Sequence, residues 1–152
     1  MPEAVICNSS CLIILEGVGM LEILRKLYGE ITIPEAVREE FGAELPSWIR
    51  VERAESEKAF KMLLIDLGKG EAEAIALAIE RKRSTLVLDD KKARGMAAEL
   101  GLKFTGTLGI LIKAKREGLV VELRPLLEEI ARKNFRISRA LEEKALVLAG
   151  EG

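Results

Sequence analysis

The chain contains no histidine. That excludes Ser-His and Cys-His catalysis, imidazole general bases and imidazole metal ligands. Any metal must then be held by oxygen, which favours Mg²⁺ or Mn²⁺ over Zn²⁺. Cysteine is nearly as scarce. Cys7 and Cys11 are too few for a disulfide framework, and their spacing fits no zinc pattern without further ligands, so they read as buried free thiols. Trp48, Tyr28 and four phenylalanines leave little aromatic surface for stacking on bases, which predicts low sequence specificity toward any nucleic acid. Apolar runs fall far short of the ~20 residues of a membrane span, and the N-terminus lacks a charged stretch followed by an apolar core. The protein is expected to be cytoplasmic, with no membrane contact.

What is present is a globular balance: 49% apolar and 32% charged residues over 152 positions, enough for one domain that buries a sizeable core. The net charge of −1 hides an asymmetry. Residues 1–76 hold 8 Lys/Arg against 14 Asp/Glu, and residues 77–152 hold 16 against 11. An acidic half beside a basic half suits a carboxylate metal site next to a surface for a polyanion, although solvated charges on Lys/Glu-rich helices would give the same count.

Short β-branched runs alternate with helical patterns. Val5-Ile6-Cys7 ends at Asn8, and Ser9-Ser10 open a helix that Gly17 and Gly19 interrupt and residues 20–27 resume. Ile31-Thr32-Ile33 is a second strand, and Pro34 is expected at the first position of a helix to about Phe41. Residues 48–51 form an expected edge strand. Ser56 caps a helix through Leu67, Gly68-Lys69-Gly70 break it, and a helix follows from Glu71 to about Lys82. The strand Thr85–Leu88 precedes a helix from Lys91 to Leu100, and Lys103-Phe104-Thr105 is the last strand. Helices over 108–117, 125–133 and 138–148 complete the chain, those beyond about 125 packing on the rest or on a partner. Strands alternating with helices imply parallel pairing and a three-layer α/β/α sandwich in a single domain over 1–152.

In open parallel sheets, sites form beyond the carboxyl ends of the strands. Asn8 ends the first strand, and Asp89 and Asp90 end the strand at 85–88. Adjacent aspartates there repel unless a cation compensates, either a metal or Lys91, Lys92 and Arg94; a helix N-cap needs only one of the two. After Pro34, Glu40 falls between Ala36 and Val37 on the inner helix face, where a carboxylate is costly unless paired or metal-bound, while Glu39 points about 100° away toward solvent. In GEAEAIALA, Glu71 and Glu73 lie about 160° apart, so one small site takes one of them. Glu71 has a ready role beside the helix dipole. Glu73, deeper in the apolar wrap, is the expected site residue.

Five segments, ICNSSCLIIL, ITIPEAVREEF, GKGEAEAIALAIE, LVLDDKKAR and FTGTLGILIKAKREGL, resemble the PIN-domain superfamily of metal-dependent ribonucleases. They are most similar to its PIN-like branch long catalogued as a domain of unknown function. The resemblance implies a parallel sheet of about five strands in the order 3-2-1-4-5 and an acidic pocket for Mg²⁺ or Mn²⁺. By motif position the family's acids fall on Asn8, Glu40, Glu73 (with Glu71 as neighbour) and the Asp89-Asp90 pair, Asp90 foremost. Ser10 and Thr107 match small hydroxyl positions lining the pocket. The departure is Asn8, where the superfamily usually has aspartate; its neutral oxygen still suits Mg²⁺ but gives up one charge of attraction.

The expected function is hydrolysis of phosphodiesters in single-stranded RNA, with Lys91, Lys92, Arg94 and the basic runs at 113–116 and 132–139 on the backbone. The alternative is a non-catalytic nucleic-acid or partner-binding module that lost turnover through Asn8. A toxin role with a small antitoxin protein is also open, as PIN proteins often play that part. So is a homodimer through the Leu/Ile-rich faces of 108–114 and 141–148.

Overall fold

The computed structural model of the protein describes residues 3–133, 135 and 137–152. Arg136, within the basic run at 132–139, lies outside the described residues. Strands β1 (Ala4–Cys7), β2 (Ile31–Pro34), β3 (Ile49–Glu52), β4 (Ser84–Val87) and β5 (Phe104–Thr105) form a parallel sheet in the order β3-β2-β1-β4-β5. Ile6 of the central strand lies in register with Thr32 on one side and Leu86 on the other. The helices are α1 (Ser9–Gly17), α2 (Glu22–Tyr28), α3 (Glu35–Phe41), α4 (Glu57–Leu64), α5 (Lys69–Glu80), α6 (Lys91–Glu99), α7 (Thr107–Arg116), α8 (Leu123–Arg132) and α9 (Arg139–Leu148).

Alternation along the strands divides the core in two. Val5, Cys7, Ile31, Ile33 and Val87 pack with α1, α2, α7, α8 and α9 on one face. Ile6, Leu86 and Leu88 pack with α4, α5 and α6 on the other. Among these, α5 is the most enclosed: Ala72, Ala74, Ile75, Ala76, Leu77 and Ala78 are all buried. Its small side chains let it lie close to the sheet, so truncating Ile75 would cost about 2–5 kcal/mol. The thiols of Cys7 and Cys11 are free and buried, and burial pushes Cys11 up to about 12.

Several ends differ from the sequence expectation by one residue, and four boundaries differ in a way that matters. Pro34 closes β2 and caps α3 instead of opening it. Helix α4 stops at Leu64, short of Leu67. Helix α8 starts at Leu123, so Pro125 sits in its first turn, where backbone N–H groups lack helical partners anyway. Helix α5 starts at Lys69, which places Lys69 and Gly70 inside its first turn instead of in a break. The last shift matters for the site.

Candidate active site

Beyond the ends of β1, β2 and β4 lies one acidic patch, termed the acid crevice, to which each strand supplies a polar residue or the helix that carries one. Asn8 follows β1 at the cap position of α1, yet its side chain makes no cap bond. It is 3% exposed, and its Oδ1 is buried without a hydrogen-bond partner. Across from it, Gly70 in the first turn of α5 has no side chain. A Cβ there would collide with Glu40 Oε1 and lie 3.0 Å from Asn8 Oδ1. Glu40 reaches this point from the last turn of α3. It is exposed, not embedded in the apolar stripe, because α3 buries only Ala36 and Val37. Its neighbour Glu39 faces solvent and pairs with Lys69 at 3.4 Å.

Glu71 completes the approach from α5. Partial burial raises its carboxyl above the ordinary range, and the neighbouring charges of Asp90 and Glu40 raise it further. The nearby Gly68 backbone N–H and Asn8 side-chain amide oppose the rise. Asp90 caps α6 through one oxygen, Oδ2, which accepts from Ala93 N at 2.9 Å. Asn8 and Glu40 thus meet at Gly70, and the charges of Glu40 and Asp90 both reach Glu71.

Glu73 and Asp89 are elsewhere. Glu73 is buried, with Oε1 accepting from Ala36 N at 2.9 Å and Oε2 from Ala54 N at 3.3 Å. The reason is local: Pro34 at the cap of α3 has no side-chain oxygen, so α5 supplies the acceptor that the helix start requires. Of the two, Glu73, the expected site residue, has both oxygens on backbone N–H groups, whereas Glu71 is the one beside Asn8 and Glu40. Asp89 plays the same part for α7, whose cap is Gly106. Its Oδ1 accepts from Thr107 N at 2.8 Å and its Oδ2 from Thr107 Oγ1 at 2.5 Å. Thr107 is accordingly spent on Asp89, not on the acid crevice. Ser10 is half-buried in the first turn of α1, and Lys91 and Lys92 are exposed at the start of α6. Arg94 lies over the Phe104 ring, 5.1 Å from its centroid.

Among the described residues, no three carboxylate or thiol side chains are grouped closely enough to close around a bare ion. The donors suit a different occupant. Mg²⁺ keeps several waters and takes only one or two carboxylates directly, so an open crevice with an orphaned amide oxygen fits it. No helix among the described residues is long and apolar enough to cross a membrane.

A parallel five-stranded sheet in this order, helices on both faces and an acidic crevice at the strand ends define a PIN-like α/β sandwich. The chain belongs to the PIN domain family: the model of the family DUF3368, described as PIN domain, matches residues 4–151. No curated protein and no solved structure matches the chain.

Proposed function

We propose that the protein is a divalent-metal-dependent ribonuclease that hydrolyses phosphodiesters in single-stranded RNA. The observation that carries this is the buried, unpartnered Oδ1 of Asn8, directed at the same glycine as the carboxylate of Glu40. Leaving a buried acceptor unpaired costs about 1–3 kcal/mol, a cost that a cation ligand would remove. Asn8 with one or two of Glu40, Glu71 and Asp90 would hold Mg²⁺ or Mn²⁺ directly, the rest acting through the ion's waters. When bound, the ion supplies charge for the phosphate oxygens and lowers the pKa of water. Burial and the neighbouring charges of Asp90 and Glu40 raise the Glu71 carboxyl in the absence of a cation, so a bound cation would offset that repulsion as Glu71 gives up its proton to bulk water. Asn8 orients Glu71 through its amide, and Lys91, Lys92 and Arg94 hold the RNA backbone as cations.

The test is RNA cleavage by purified protein with Mn²⁺. Glu40→Gln, Glu71→Gln and Asp90→Asn should each lower the rate at least about tenfold, while Glu73→Gln keeps activity in proportion to the folded fraction. Unchanged rates in the first three variants would sink the assignment.

A second reading has its own support, in the neutral charge of Asn8 and the open spacing of the acids. In it the chain binds RNA without cleaving it, binding weakens steeply with salt, and Asn8→Asp gains activity. A toxin role beside a small antitoxin protein and a homodimer are further proposals, read out by co-expression and sedimentation. Of the two faces offered for a dimer, Ile110, Leu111 and Ala114 are buried in the chain's own core, whereas Leu141, Val147 and Leu148 are exposed.

A further inference from the structure

Asp89 and Asp90 face different surroundings. The charge of Asp90 reaches Glu71, while Asp89 lines a cavity of about 270 Å³ between the ends of β4 and β5 and the helices α1, α7 and α9. At ~30 Å³ per water that is room for roughly nine waters, the size of a purine or pyrimidine ring system and too small for a folded peptide. Two kinds of surface meet in it. Ile14, Ile112, Leu141 and Leu148 provide apolar walls from three helices. Asp89, Thr105 and Thr107 provide a polar edge, and Arg94 and Lys144 stand among the lining groups as cations.

Asp89, Thr107 and Arg94 are held in place. Asp89 is fixed by two bonds from Thr107 and keeps lone pairs free for further donors. Gly106 and Gly109 leave these groups room: a Cβ on Gly106 would lie 2.9 Å from Asp89 Oδ1, and one on Gly109 would collide with Thr105 Oγ1. Arg94 is laid on the Phe104 ring and forms no ion pair among the described residues. A guanidinium that is oriented, with Asp89 nearby but outside ion-pair distance, can still take an anion on its free N–H groups.

This combination discriminates among ligands. An acyl chain would fill the apolar walls but bury Asp89 against hydrocarbon, which is costly. A bare inorganic anion would satisfy Arg94 but would leave the apolar walls uncovered and the free lone pairs of Asp89 without a donor. A flat ring with amino or imino donors along one edge and a phosphate attached satisfies walls, carboxylate and guanidinium together. We propose that the cavity is a nucleotide subsite, taking one base of an RNA strand with its phosphate on Arg94 and Lys144. The choice of an RNA strand as the source rests on the ribonuclease reading; the nucleotide chemistry of the cavity does not. A base seated there directs the strand past Asp90 toward Glu71, so the protein would prefer certain bases at one position despite its few aromatics.

The experiment titrates the four ribonucleoside monophosphates and a short single-stranded RNA into the protein in EDTA, following heat and methyl NMR shifts. The wild type should bind at least one monophosphate, with shifts at Ile112 and Leu148. Arg94→Ala should weaken binding about tenfold. Leu141→Trp, at a half-exposed position on the cavity wall, should abolish it without loss of the thermal transition. Should that variant fail to fold, the Arg94→Ala titration and the methyl shifts decide alone. No binding by the wild type, or binding indifferent to both substitutions, overturns the subsite. Because EDTA removes any cation, the outcome is separable from the nuclease assay. Glu71→Gln that binds nucleotides but does not cleave supports both readings. Cavity-dependent binding by a protein that never cleaves keeps the subsite and sinks the ribonuclease. Binding of monophosphates without RNA supports the cavity with free nucleotide as its source.

Discussion

Gly70→Ala separates stability from cation binding, because the two respond to different atoms. Gly70 lies in the first turn of α5, so alanine there should gain up to about 1 kcal/mol in helix propensity and unfolded-state entropy. Against this, the added Cβ collides with Glu40 Oε1 and meets Asn8 Oδ1 at 3.0 Å. Glu40 is exposed and can swing to another rotamer at about 0.5–1.5 kcal/mol. Asn8 is 3% exposed and can yield only a few tenths of an ångström. The terms nearly cancel, so the variant should stay within about 1 kcal/mol of wild type, or about 4 °C in Tm for a chain of this size. Its affinity for Mn²⁺ should fall about tenfold or more, since Glu40 has been moved out of the crevice. Thermal melts with and without Mn²⁺, beside calorimetric titration of the ion, measure both quantities. A double-mutant cycle sharpens the test: with Glu40→Ala in the background, Gly70→Ala should become stabilising. Unchanged Mn²⁺ affinity would refute the place given to Glu40, and a loss of several kcal/mol would refute its freedom to move.

Three further outcomes follow from the same geometry. Glu73→Gln replaces a charged acceptor of two backbone N–H groups by a neutral one and should lower stability by about 1–3 kcal/mol in urea unfolding, with Mn²⁺ affinity kept. Glu71 has a folded-state pKa raised above the ordinary 4.5, so the stability it contributes is full below that value and lost as pH rises through the raised one. Glu71→Gln should therefore exceed the cation-free wild type in Tm at neutral pH and match it in acid, and Mn²⁺ should narrow the difference by stabilising only the wild type. Glu151 carries the opposite sign. Its carboxylate, held at about 2 by Lys115 and then by the Leu123 N–H, contributes stability above 4.5 that disappears as pH falls toward about 2. Glu151→Gln should flatten that acid limb of the Tm–pH curve.

Why the fold could be read from the sequence is clear from its strands. Val5-Ile6-Cys7 and Leu86-Val87-Leu88 carry consecutive apolar side chains because both faces of the sheet are covered, and such runs between helices imply parallel pairing. Element ends were less legible where two signals competed. Pro34 has the fixed φ of a first helical residue, but its extended ψ of 155° continues β2. Gly68-Lys69-Gly70 looks like a break, yet only Gly68 is outside the helix, and Gly70 is a glycine because of what lies against it.

The acids show what helix geometry alone leaves open. An angle of about 160° between Glu71 and Glu73 says that they serve different neighbours, but not which of them faces the crevice. What decides is a demand on another element. Helices α3 and α7 begin at Pro34 and Gly106, caps without a side-chain oxygen, and their first N–H groups must find acceptors from afar. Glu73 and Asp89 answer that demand and are thereby removed from the set of free carboxylates. The signal was present in IPEAV and in TGTLG, as helix starts lacking Ser, Thr, Asp or Asn at the cap. Asn8 is the converse case. It belongs to the residue types best suited to cap a helix, it stands at the cap of α1, and its side chain does not cap. An amide withheld from its easiest local bond, then buried with its oxygen unpartnered, is placed for something outside the chain. That withheld bond identifies the crevice more sharply than any of the carboxylates, and its absence shows only once β1, α3 and α5 are brought together.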